Sequence, residues 1–554
     1  MSQIQRIHFV EYNAKLNTLA MVKVFPKYGT PLLATILKQR GYDVRVYLEG
    51  ASDMRFETLS RCDLICMPVF APAFNKVKAL REQLQASRPH LLVIVGGPQA
   101  ILYPETVHQL GDYAVHCEGD DALPELVDCL RDGGDPAQVA GISFVRDGVV
   151  VSTPEREPPA IPSTVPDMTL IDGFDALAGR IDRYRTIQNT LQTSRGCSYR
   201  CRFCPTPRLF GGQFRNRDAD SIVEEIRVKQ RYGDLFFVVD NNFFGDRARA
   251  VALLRRLVAE DLDALLIVFA RQEIGQDREL LELMRRAGVK CLIVGVESLV
   301  DDNLAAFDKQ QRSRDVIRSI DTIKRSGIHV IATFAFGYDG DTLERARELV
   351  RFVRGRNLAL NVFILHDTED DPQRKLLIPL ERRFATYYQR TDPQDTSYMD
   401  YTTGSFVTYF PRQMKPSTLQ RCFLQIYREL YTDGYILRSV LEKSAFESVF
   451  GIAHGYGIRR LNEAIERVAK RQYMDHLLQV EQGLYDEREQ LQEDRLARLE
   501  RLPQPPPLEE QVDVETYNLL GEIAALPGVV RLLGHKLRHR LSRRVRRLPQ
   551  TRPA

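Results

Sequence analysis

No run of apolar residues in this 554-residue chain approaches the roughly 18 needed to span a bilayer. Met1 to Val10 is polar and lacks the hydrophobic stretch of a signal peptide, so no secretory leader is expected. Cysteine is scarce and odd in number, nine in all. That is no secreted disulfide framework, and a cytoplasmic location is the expectation. An excess of one charge is also missing: the net charge is +3, too little for an electrostatic nucleic-acid binder, and no nucleic-acid partner is expected. At 44% hydrophobic and 27% charged, with 34 Gly and 28 Pro, the composition excludes collagen, mucin-like stalks and a wholly disordered chain. The length suits about three or four units, each able to bury a core.

What is present begins with alternation. Strands are predicted at Ile7–Tyr12, Val44–Leu48, Asp63–Val69, Leu91–Val95 and Tyr113–His116. Between and after them lie helical stretches at Thr30–Arg40, Asn75–Ala86, Glu105–Leu110 and Leu123–Arg131. That order implies βαβ units around a parallel sheet, whose ligands sit at the carboxyl ends of the strands. Gly96 and Gly97 fall at such an end, where a missing Cβ lets a ligand approach; a plain tight turn is the other reading. Asp147-Gly148 predicts a hairpin between Ile142–Arg146 and Val149–Thr153. Pro154 to Asp167 carries five prolines and reads as an extended linker.

Cys197, Cys201 and Cys204 form C-x3-C-x2-C within T-S-R-G-C-S-Y-R-C-R-F-C-P-T-P. The other six cysteines are isolated, mostly inside apolar runs, and read as small buried hydrophobes. A closed zinc site wants four ligands, and no fourth is evident. Three cysteines on a [4Fe–4S] cluster leave one iron open for chemistry.

With Phe203 just before the last cysteine, this motif resembles the signature of the radical S-adenosylmethionine superfamily. Downstream, Phe236–Asp240 ends in Asp240-Asn241-Asn242, C-L-I-V-G-V-E-S at Cys291–Ser298 is similar to the family's fourth barrel strand, and Gly327–Asp341, through Gly337, is similar to its fifth. Strands and helices alternate from Ser221 to Leu365, as in a partial (β/α)6 barrel with its chemistry at the strand C-termini. The N-terminal unit then resembles the cobalamin-binding domain often fused ahead of this barrel, through Tyr28-Gly29-Thr30-Pro31-Leu32, Met67–Phe70, Val95–Ala100 and Cys117-Glu118-Gly119-Asp120. The expected fold is α/β: a Rossmann-like cobalamin-binding sheet over 1–153, a linker over 154–185, the barrel over 186–385, and a mostly helical region over 386–554. There is no Asp-x-His-x-x-Gly segment to give cobalt a histidine ligand.

The resemblance implies three cofactors: a [4Fe–4S] cluster on Cys197, Cys201 and Cys204, S-adenosylmethionine on its open iron, and cobalamin between sheet and barrel. It places Phe203 near adenine, the Asp240-Asn241 turn where a Gly-Gly-Glu segment usually stands, and Glu297, Ser298 and Gly337 near the cofactor. It places Gly96, Gly97, Glu118 and Gly119 at cobalamin. It also implies an electron donor such as flavodoxin or ferredoxin. After the sixth strand, His366 and Asp367 stand near the mouth, where a proton-transfer group is useful; a solvated acidic loop is the alternative.

In the C-terminal third, Phe410–Thr432 has helical spacing with Ser417 as its cap, and Leu461–Leu502 reads as a charge-dense helix. Val529 to Ala554 holds nine Lys or Arg and no acid, with Val529, Val530, Leu533, Leu537, Leu541, Val545 and Leu548 on one stripe. Such a helix suits an anionic membrane surface or packs on its own protein. The expected activity is cobalamin-dependent C-methylation of an unactivated carbon in a hydrophobic small molecule, such as a lipid, polyisoprenoid or tetrapyrrole. A radical ring closure of the magnesium-porphyrin ester cyclase kind, or a non-catalytic cobalamin or redox sensor, are the alternatives.

Overall fold

The computed structural model describes residues 4–13, 27–174, 189–365, 377–392, 394–441 and 445–508. His366 and the basic tail therefore lie outside the described residues.

The first unit is a seven-stranded sheet ordered β2-β1-β3-β4-β5-β6-β7. Its strands are β1 (Arg6–Glu11), β2 (Asp43–Leu48), β3 (Leu64–Pro68), β4 (Leu92–Gly96), β5 (Tyr113–Val115), β6 (Ile142–Arg146) and β7 (Val149–Ser152). The first five run parallel, because α1 (Gly29–Gln39), α2 (Phe74–Ser87) and α3 (Gly119–Arg131) cross between or follow them. The hairpin forms as predicted, with Asp147 and Gly148 both at positive φ. Strand order reverses around β1, so the ligand crevice of such a sheet lies off the ends of β1 and β3.

Two boundaries move. Helix α3 starts at Gly119 rather than Leu123, and the stretch at Pro104–Gln109 is a 3-10 helix. The linker is also shorter. Met168, Leu170, Ile171 and Phe174 pack into the sheet's core, and Ile171 bridges Val46, so the first unit reaches to Phe174.

The second sheet has six parallel strands ordered β13-β12-β11-β10-β9-β8. They are β8 (Asn189–Leu191), β9 (Leu235–Val238), β10 (Leu265–Arg271), β11 (Val289–Glu297), β12 (His329–Phe336) and β13 (Ala359–Ile364). The helices are α4 (Ala219–Lys229), α5 (Arg247–Ala259), α6 (Arg278–Arg286), α7 (Ser313–Arg325) and α8 (Leu343–Arg356). The strands read as near-continuous apolar runs because both faces are covered. One face packs under the helices; the other closes a small inner core of Phe237, Ile267, Cys291, Ile293, Ile331 and Ala359. Asp218, Asp246, Asp277 and Thr342 cap α4, α5, α6 and α8 with their side chains, which fixes where each helix leaves the loop.

The free edge of β13 is closed by side chains. Helix α9 (Pro416–Leu430) and the turn after it present Tyr427 and Tyr431. The Tyr427 hydroxyl accepts from Val362 N (2.6 Å) and donates to Val362 O (2.9 Å). Tyr431 does the same for Leu360, at 2.8 and 2.9 Å. Two phenols thus stand in for a seventh strand and leave no open edge there.

Two C-terminal expectations change. Ser417 is not the cap of α9; the N-cap is Lys415, and Ser417 is inside the first turn, where its N–H and hydroxyl bind the Glu481 carboxylate. The charged stretch 461–502 is no single solvated helix. Helix α10 (Ala445–Val468) continues through a π-helical turn into α11 (Met474–Val480), and turns follow. Leu461, Ala464, Ile465, Tyr473 and Leu477 are buried against the barrel's core, and Glu481 is a buried charge, spent on Ser417.

Candidate active site

The three-cysteine loop follows β8 and a short ribbon in which Ser194–Arg195 pairs with Arg215–Asn216. The loop is held from below by Asp240. This carboxylate is almost fully buried, accepts from Thr193 N at 2.7 Å, and takes the hydroxyls of Thr193 and Ser194. Its side chain is thus spent on the loop's base, not turned to a cofactor. Asn241 is exposed, and its amide donates to Thr206, whose hydroxyl lies 3.2 Å from the Cys204 sulfur. The Cys204 N–H also bonds Cys201 O.

Among the described residues, no group of three His, Cys, Asp or Glu side chains is placed to hold one metal ion. That is no objection to a cluster, where each thiolate takes a different iron. Burial pushes the Cys201 and Cys204 thiols up; at Cys201 the cations Lys309 and Arg271 pull the other way. Thiols that are costly to ionise in a bare protein release their protons to a metal, and two cations suit an anionic cluster. By contrast Cys62, pushed up to about 12 by burial, is inert packing.

Above the loop, Phe203 meets Phe307 edge-on at 5.3 Å, and Phe307 meets Tyr338 at 5.3 Å. Glu297 ends β11 at a positive φ of 66°, and its carboxylate accepts from Lys309 Nζ at 3.0 Å. A Cβ on Gly295 would meet both groups, at 2.4 and 3.0 Å, so that glycine makes room for the ion pair. Ser298 Oγ accepts from Val300 N and Asn303 Nδ2. Asn303 in turn donates to Asp341 Oδ1 at 3.0 Å, and Gly337 N donates to Asp341 Oδ2 at 2.9 Å. The ends of β11 and β12 are thereby tied together. A Cβ on Gly337 would strike Tyr409 and Leu419, so this glycine serves the packing of α9.

The sheet's carboxyl edge faces this loop. Arg195, two residues before Cys197, donates from Nη1 to Glu118 Oε2 at 2.6 Å and from Nη2 to Asp120 Oδ1 at 3.0 Å. Arg215 also pairs with Glu118. Tyr28 reaches across to Glu225, which is fully buried with Arg217 and Lys229. So Glu118 and Tyr28 clamp sheet to barrel. Gly97, at φ 86°, would place a Cβ 3.2 Å from Val69 N, not in an open cleft; Gly96 would make only ordinary contact with Val115. Gly119 opens α3 beside Leu33. Other groups are left for a polar ligand: His116 Nε2, just after β5, and Arg208 Nη1 are buried with no hydrogen-bond partner, and Arg208 Nη2 donates to Leu102 O of the sheet unit.

Sequence reasoning missed Arg195, Arg271, Lys309 and Asn303. Arg195 lies inside the quoted motif, but a charge before a cysteine motif carries no mark of its partner on another domain.

Residues 191–353 match the family described as "Radical SAM superfamily", and residues 15–127 match "B12 binding domain". The chain thus carries a radical S-adenosylmethionine domain behind a B12-binding domain. An uncharacterized methyltransferase of Pyrococcus horikoshii is 24% identical over 458 residues, 80% of this chain and 94% of that protein. The anaerobic magnesium-protoporphyrin IX monomethyl ester cyclase of Rubrivivax gelatinosus is 25% identical over 64% of this chain and 66% of its own. Among solved structures, the cobalamin-dependent S-adenosylmethionine radical enzyme OxsB superposes with a TM-score of 0.58 at 15% identity, covering 98% of this chain and 81% of that one. The fold of a radical S-adenosylmethionine enzyme with its cobalamin domain is thus present along almost the whole described chain.

Proposed function

We propose that this radical S-adenosylmethionine enzyme transfers a methyl group to an unactivated carbon of a hydrophobic small molecule. The observation that carries the reading is the clamp of Arg195 to Glu118 and Asp120, which faces the cobalamin edge of the sheet toward the cysteine loop. When bound, the cluster with S-adenosylmethionine supplies a carbon radical, and cobalamin supplies the methyl group.

The chain's own residues do the rest. Cys197, Cys201 and Cys204 hold the cluster, Phe203 packs beside the adenine position, and Glu297 with Lys309 offers one charge of each sign to the amino-acid end of S-adenosylmethionine. Apolar lumen residues such as Phe269, half-buried at the end of β10, keep water from the reacting carbon. His366 remains the candidate for moving a proton at the mouth.

The test is anaerobic reconstitution with cobalamin, reductant and deuteromethyl-labelled S-adenosylmethionine, offered to polyisoprenoid and tetrapyrrole extracts. The reading expects S-adenosylhomocysteine, 5′-deoxyadenosine and a deuteromethylated product. The cyclase relative favours a second reading, an oxidative ring closure. That would yield 5′-deoxyadenosine without S-adenosylhomocysteine.

The electron donor of this reading is a flavodoxin or ferredoxin. Among the described residues no helix is long and apolar enough to cross a membrane. The basic stripe at 529–548 supports peripheral contact with an anionic membrane, at roughly 1 kcal/mol per basic residue. Co-sedimentation with anionic vesicles, comparing the full chain with one ending at Pro527, tests that: equal pelleting of the two removes the idea.

A further inference from the structure

Arg271 ends β10 and is 8% exposed. Its guanidinium lies 3.7 Å from the centre of the Tyr199 ring, inside the cysteine loop. Nη1 points at the Cys201 sulfur, 3.6 Å away. Nη2 donates to Lys309 O at 2.6 Å, and Nη2 and Nε share the Glu273 carboxylate, at 2.6 and 3.1 Å. Gln311 Nε2 in turn holds Glu273 Oε1 at 3.0 Å. Every nitrogen is therefore assigned, and one is reserved for a sulfur. The backbone fixes its place. Arg271, Gly295, Thr333 and Asn361 form one continuous row across four strands, so a shift of Arg271 requires a shift of the sheet.

We propose that Arg271 sets the reduction potential of the cluster, through a charge-assisted hydrogen bond to the Cys201 sulfur. This rests on the reading of Cys197, Cys201 and Cys204 as cluster ligands. Activation begins with one electron, delivered by a low-potential one-electron carrier protein, to a cluster whose core and three thiolates together carry −1. The electron takes that charge to −2, and no bond is made or broken. A fixed cation beside a ligating sulfur stabilises the more negative state and raises the potential, and hydrogen bonds to cluster sulfurs act in the same direction. Glu273 opposes this by drawing on the same guanidinium, so Arg271 and Glu273 form a tuning pair with opposite signs. Arg271 is a positioning residue here; it touches a ligand, not the substrate.

Three reconstituted variants test it by an electron-paramagnetic-resonance-monitored titration with dithionite. Arg271→Gln is expected to move the midpoint potential negative, Glu273→Gln to move it positive, and Arg271→Lys to fall between Arg271→Gln and the native protein. Lysine keeps the charge but loses the stacking on Tyr199 and the fork. Equal potentials for native protein, Arg271→Gln and Glu273→Gln overturn the proposal, as does a shift of one sign in both. If Arg271→Gln holds no iron, the sign of the Glu273→Gln shift decides alone. A native chain that binds no cluster at all refutes the underlying site assignment instead.

Discussion

Arg195 of the barrel and Glu118 of the sheet unit meet at 2.6 Å, with both side chains under a tenth exposed. Only Gly196 separates Arg195 from Cys197. The sheet's carboxyl edge is therefore held to the cysteine loop by a buried ion-pair group, Arg195 with Glu118 and Asp120, backed by Arg215, and Tyr28 with Glu225 makes a second tie. Removing the arginine leaves two buried carboxylates short of a partner, which costs about 3–5 kcal/mol for such pairs. Arg195→Met is expected to lower the thermal midpoint sharply and to weaken cobalamin retention by more than it weakens cluster loading. Equal stability of variant and native protein in a thermal scan would remove the clamp from the account.

The two phenols on β13 make a local prediction. Tyr431→Phe takes away the partner of Leu360 N and one of those of Leu360 O, which His454 also contacts. Leaving buried backbone groups unmade costs about 1–3 kcal/mol. Hydrogen exchange of the Leu360 amide should become markedly faster, while exchange in the seven-stranded sheet stays unchanged. Unaltered protection at Leu360 would mean another group covers that edge.

Gly97 and Gly96 are expected to separate. Gly97→Ala forces a side chain into a conformation that only glycine adopts readily, 3.2 Å from Val69 N, at a cost of about 1–3 kcal/mol. Gly96→Ala meets only ordinary contacts and should be tolerated. Thermal melts of the two variants check this: equal midpoints contradict the geometry.

Acid sensitivity follows from three buried histidines. Burial lowers His329 from 6.5 to about 3, His454 to about 4 and His476 to about 4. A depressed base is neutral in the folded chain while the unfolded chain protonates near 6.5. Stability from these groups is thus complete above pH 6.5 and declines as pH falls from there toward 4. At pH 5 each contributes a loss of about 2 kcal/mol. Denaturant midpoints at pH 7 and pH 5 measure it, and His476→Gln should flatten the dependence. A midpoint that rises on acidification contradicts the assignment.

Much of this was legible in the sequence because local signals and global fold agree. Most of the strand–helix alternation and Asp147-Gly148 are legible to within a residue or two, since apolar periodicity and turn chemistry are local; the start of α3 at Gly119, four residues before Leu123, is not. The cysteine loop was legible because three thiols in eight residues have few other uses. The roles of Glu118, Asp240 and Gly97 were not, because each depends on a partner far along the chain: Arg195, Thr193 and Val69. Ser417 looked like a cap by composition, but Glu481 reaches it from 64 residues away, and no local pattern signals that. The hydroxyls of Tyr427 and Tyr431 read only as core spacing until the strand edge they bind was in place.

The central claim is that Cys197, Cys201 and Cys204 hold a cluster that cleaves S-adenosylmethionine beneath the cobalamin sheet. The most direct measurement is 5′-deoxyadenosine formation by the anaerobically reconstituted protein with dithionite, comparing native chain, Cys201→Ala and Cys62→Ala. The account predicts nucleoside from the native chain and Cys62→Ala, and none from Cys201→Ala, which also loses its iron–sulfur absorbance. Cleavage that survives Cys201→Ala would contradict it.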